Sequence, residues 1–80
     1  MNERGKWKSQ LADRELLAAD LEAQLRGLVA LVRDHLDPHQ PVADISFDVA
    51  AGLLVGGEAV WRDYRQVLVD IRRLKRSLEE

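Results

Sequence analysis

Apolar positions recur along this chain at alternating steps of three and four. Val60, Tyr64, Val67, Ile71, Leu74 and Leu78 fall at steps of 4, 3, 4, 3 and 4. That is a period of about 3.5 residues, the seam of one helix laid against another. Upstream, Trp7, Leu11, Arg14, Ala18, Leu21, Leu25, Leu28, Val32 and His35 repeat the alternation. Leu17, Val29, Leu31 and Leu36 widen that first stripe, as in a bundle rather than a simple two-stranded coil. Leu, Ala, Glu and Arg dominate both segments and favour helix throughout.

Breaks in the pattern set the expected boundaries. Ser9 is a candidate cap for a first helix over residues 8–36. Pro38 disfavours helical geometry at Asp37 and Pro41 repeats the stop, so residues 37–44 read as a reversing loop. A second helix is expected over residues 46–78, capped by Asp44 or Ser46. Its early part is ambiguous. Ile45, Phe47 and Val49 alternate with polar residues as a strand does, and Leu53 to Val55 would supply its partner. Gly52, Gly56 and Gly57 each penalise a helix by about 1 kcal/mol. Yet a lone two-stranded hairpin is only marginally stable, and no third strand is in sight. Helix is therefore favoured, with a possible break at 56–57. The polar start at residues 1–5 and the closing Glu79 and Glu80 are expected to fray.

The fold class that follows is all-α, a single domain over 1–80 built as a long antiparallel helical hairpin. An α+β fold with a short β-hairpin at 45–55 is the alternative. Two helices leave part of such wide stripes uncovered, so the hairpin is expected to dimerise into a four-helix bundle. Leu21, Leu25, Leu28, Val32, Val60, Tyr64, Val67, Ile71 and Leu74 are the expected core or interface residues. Trp7 and Trp61 read as packing anchors. Antiparallel helices would put Trp7 near Leu74 and Leu78.

Composition narrows the means of stabilisation. The chain has 80 residues and no cysteine, so a disulfide or thiolate zinc site is ruled out and a second copy is the remaining support. It is 46% hydrophobic and 32% charged, too apolar for intrinsic disorder. The net charge of −2 exerts no global pull on nucleic acid or membrane. The charge is unevenly placed: residues 1–10, 11–37, 38–58 and 59–80 carry +2, −3, −3 and +2. A hairpin therefore has a basic end at its termini and an acidic end at its turn. The start lacks the apolar core of a secretory signal. No apolar run approaches the ~20 residues of a membrane helix. A cytoplasmic location is the expectation.

Candidate chemistry is sparse. Asp34, His35, Asp37 and His39 place two imidazoles and two carboxylates within six residues. His35 and His39 have the spacing of ligands on one helical face, but Pro38 between them breaks that geometry, and a solvated helix end is preferred. Arg33-Asp34 followed by His39 resembles the signature of the HEPN ribonucleases, an arginine, a polar residue and a histidine near a helix end. The resemblance implies an acid or base acting on RNA phosphate. It spans only seven residues, and that fold needs at least four helices, so unrelated surface residues are the preferred reading. Gly52 and Gly56 read as a tight helix crossing, a bend or a turn. Arg62, Arg65, Arg72, Arg73 and Arg76 gather on the outer side of the last helix, where they suit solvent and ion pairs or the phosphates of a nucleic acid.

The expected function is a small helical protein–protein interaction module acting through self-association. Its partner is a second copy, or another protein. The alternative is a nucleic-acid-binding regulator using the arginine face. No enzyme activity, cofactor, metal or membrane partner is expected.

Overall fold

A computed structural model describes residues 3–79. Helix α1 runs Glu3–His35 and helix α2 runs Phe47–Glu79, each of 33 residues, with a short 3-10 turn at Val42–Asp44 between them. No strand occurs among the described residues, so the stretch around 45–55 resolves in favour of helix. The two helices pack antiparallel as a hairpin with extents of 63 × 17 × 17 Å. Its radius of gyration is 18.2 Å, against about 12 Å for a globular domain of this length.

α1 begins earlier than its cap signal suggested. Ser9 lies inside the helix, which continues back to Glu3. Lys6, Lys8 and Gln10 are adequate helix formers, and with no proline between Glu3 and Gln10 the helix runs through Gly5. Glu3–Gly5 and Glu79, at the ends expected to fray, are helical. Met1, Asn2 and Glu80 lie outside the described residues.

The reversal is built from local hydrogen bonds. The Leu36 amide donates to the carbonyls of Val32 (3.0 Å) and Arg33 (3.2 Å), closing α1. The Asp37 carboxylate accepts from the His39 amide at 2.9 Å, and the Asp37 carbonyl accepts from the Gln40 amide at 3.2 Å. Asp followed by Pro at the first two turn positions favours this geometry. A second turn follows, in which the Asp44 amide donates to the Pro41 carbonyl at 2.9 Å. Ser46 then enters α2, its carbonyl accepting from the Ala50 amide at 3.0 Å.

The core is a single seam between the helices. Ala50, Val67 and Ile71 are buried, as is Gly57. Leu53, Val60, Tyr64, Leu74 and Leu78 are half-buried. The period that starts at Val60 thus reaches back to Ala50 with no change of step. On α1, Trp7, Leu11, Ala18, Leu21, Leu25, Leu28, Val32 and His35 are half-buried. Arg14 departs from the pattern and is exposed, because its long side chain can hold its charge in water from a position beside the seam.

Gly57 sets the register. A Cβ at that position would come within 2.6 Å of Leu28 Cδ2. Leu28 therefore packs directly on the backbone of α2 there. α2 passes Gly56 and Gly57 without a break. The tight crossing is made at Gly57, whereas Gly52 and Gly56 face open space within 4 Å. With Leu28 opposite Gly57, Leu25 falls level with Val60, Ala18 with Val67 and Trp7 with Leu78.

Candidate interaction face

All nine residues expected at a core or interface lie in this intrachain seam. Val67 and Ile71 are buried; Leu21, Leu25, Leu28, Val32, Val60, Tyr64 and Leu74 are half-buried. Each helix already covers the other's seam there. Any partner would therefore meet residues that the seam leaves outside.

Those residues are plentiful and unevenly placed. Phe47, Leu54 and Trp61 of α2 are 61%, 54% and 46% exposed, and Leu68 is half-buried. The four stand seven residues apart, so they form a line along one flank of α2, drifting with the seam itself. The line spans about 32 Å at 1.5 Å per residue. Val55, also on α2, and Val29 of α1 are exposed as well.

The other flank is different. A groove of about 280 Å³ there is lined by Arg14, Leu17 and Leu21 of α1 and Asp63, Gln66, Val67 and Asp70 of α2. At the seven-residue positions of this flank stand Val49, Gly56, Asp63, Asp70 and Ser77. Gln66 Nε2 donates to Asp70 Oδ1 at 3.1 Å along it.

Trp61 was expected to pack inward with Tyr64. Only Tyr64 enters the seam; Trp61 stands on the apolar flank. Its position follows Val60, one step round the helix, and the hairpin has no third element to cover it. The Arg65 guanidinium lies 5.0 Å from the Trp61 ring centroid. At an exposed site that arrangement contributes about 0.5–1 kcal/mol. The seven-residue spacing from Phe47 to Leu68 was the signal in the sequence that locates this flank.

The arginine face lies outward as expected: Arg62, Arg65, Arg72, Arg73 and Arg76 are all exposed. Arg62 pairs with Glu58 at 2.6 Å, one helical turn away, and Arg26 pairs with Glu22 at 2.8 Å on α1. Both pairs run along a helix. No ion pair joins the two helices among the described residues, so the seam rests on apolar packing. Arg72, Arg73 and Arg76 make no ion pair with a described residue.

His35 is half-buried at the end of α1, while Arg33 and His39 are exposed. No three His, Cys, Asp or Glu side chains among the described residues come together as a metal site would need. None of the described helices is long and apolar enough to cross a membrane. No protein-family model, curated protein or solved structure matches the chain.

Proposed function

We propose that this chain is a helical assembly module that associates with a second copy of itself to form a four-helix bundle. One observation carries the reading. The hairpin exposes 6381 Å², whereas a globular monomer of its mass exposes about 4,900 Å². The surplus is on the order of 1,500 Å², the area each subunit of an obligate homodimer commonly buries. The exposed surface includes the large apolar side chains Phe47, Leu54 and Trp61. Burial of such surface is the main driving force for association. The reading assigns no catalytic role and no cofactor.

Sedimentation equilibrium tests it. A dimer or larger species at micromolar concentration is expected. A folded monomer across the whole concentration range would overturn the reading.

A second reading draws on the cluster of Arg72, Arg73 and Arg76, exposed and without an ion pair to any described residue. Cations so placed at one end of a rod suit the phosphates of a nucleic acid. This reading predicts a salt-sensitive gel shift that Arg72→Glu with Arg73→Glu abolishes. No shift at low salt would remove it.

A further inference from the structure

Self-association leaves two matters open: which surface two copies share and how they are oriented. The geometry points to an antiparallel dimer in which the Phe47–Leu54–Trp61–Leu68 flank of α2 packs on the same flank of a second copy, turn end beside terminal end. This rests on the self-association reading above.

The choice of flank follows from the contrast on α2. One flank carries four large apolar side chains in line; the opposite one carries Asp63 and Asp70 at the equivalent positions. Pairing the second flank with itself would bring like charges together and strip water from carboxylates. Pairing the first buries a tryptophan near its centre with an arginine over the ring, and Trp and Arg are the residue types most enriched at the energetic centres of interfaces. The groove of about 400 Å³ lined by Leu25, Val29 and Ala30 of α1 and Tyr64 of α2, together with the charged Glu22, Arg26 and Arg33, adds a partly apolar area.

The orientation follows from charge. The turn end carries Asp37, Asp44 and Asp48; the terminal end of α2 carries Arg72, Arg73, Lys75 and Arg76. A parallel pair sets acid beside acid and base beside base at the two ends. An antiparallel pair sets the acidic turn of each copy alongside the basic last turns of the other. Exposed charges contribute little affinity, but like-charge juxtaposition penalises the wrong orientation. A two-fold axis midway between Leu54 and Trp61 also satisfies the apolar line. It faces Phe47 with Leu68 of the second copy and Leu54 with Trp61 of the second copy, each an aromatic against a leucine. The parallel pair instead sets Trp61 against Trp61.

The absence of cysteine allows a single spin label to report the orientation. In the full chain labelled at Arg76→Cys, the antiparallel dimer places the two labels about 55 Å apart along the axis, and a parallel dimer under about 30 Å. Alongside, Leu54→Asp and Trp61→Asp are each expected to weaken dimerisation at least tenfold by sedimentation, with far-UV circular dichroism unchanged. Leu54→Ala, which keeps a strong helix former, reads the same surface if either acidic variant loses helicity. A long separation together with weakened association supports the proposal. A dimer with the short separation overturns its orientation. A dimer indifferent to Leu54→Asp, Trp61→Asp and Leu54→Ala overturns its face. Both of those outcomes leave self-association standing, whereas a folded monomer removes the underlying reading as well.

Discussion

The two flanks of α2 share one helix, one period and one seam between them, yet they differ in chemistry. Along one, Phe47, Leu54, Trp61 and Leu68 stand at seven-residue intervals before Lys75. Along the other, the equivalent positions are Val49, Gly56, Asp63, Asp70 and Ser77. The seam needs neither set, since Ala50, Val67 and Ile71 are buried between the helices without them. A helix that only had to close the hairpin could carry polar residues on both sides. The difference between them lies in chemistry, large apolar side chains on one flank of α2 and two carboxylates on the other.

Variants can separate what the seam does from what each flank does. The largest effect is expected from Val67→Asp. It places an unpaired carboxylate in the buried seam, where the cost is about 3–5 kcal/mol, comparable with the whole stability of a small domain. Helicity and association should both collapse, seen by circular dichroism and sedimentation. Retained helicity would show that α1 and α2 do not depend on this contact.

Gly57→Leu comes next. Leu28 already meets the position at 2.6 Å from a would-be Cβ, so a larger side chain must displace the Leu28 side chain or the helices. Overpacking of this kind costs about 1–3 kcal/mol, less whatever the better helix propensity returns. Urea denaturation would show the lowered midpoint.

Gly56→Ala is the informative neighbour. Its Cβ would meet nothing within 4 Å and the site is helical, so about 0.5–1 kcal/mol of stabilisation is expected. A loss of stability there would mean that the acidic flank holds a close contact absent from the hairpin.

The smallest effect is expected from Asp63→Ala. This carboxylate is exposed, so stability should change by no more than about 0.5 kcal/mol. The dimerisation constant should not move. If it does, the apolar flank is not the sole surface two copies use.

Much of the hairpin was legible because its signals are local or strictly periodic. The steps of three and four predict both helices, and the two prolines with Asp37 predict where the chain reverses. The seam residues follow from the same count, with Arg14 the departure. Its stem is long enough to leave a seam position, something residue spacing does not register. The strand-like alternation of Ile45, Phe47 and Val49 misleads for a related reason. Alternation has meaning only when a neighbouring strand exists, and α1 offers a helical partner instead.

The exposed apolar flank was harder to see. Trp61 stands next to Val60, and adjacency to the seam made it look internal. Its exposure depends on how much surface a single partner helix can cover. Likewise, the spacing pointed to Gly52 and Gly56 for a close approach, and Leu28 meets Gly57 instead.

By itself, the sequence determined two long helices, one seam on each, and an antiparallel return. Those outcomes rest on backbone sterics at proline, on helix propensity and on the 3.5-residue repeat. The register was decided only in the tertiary structure. A heptad pattern looks the same after a slide of seven residues, so periodicity alone does not choose among pairings. The close fit of Leu28 over Gly57, together with a loop of fixed length, selects one. Once that register is set, the apolar residues without cover are also set, and the flank from Phe47 to Leu68 is where they lie.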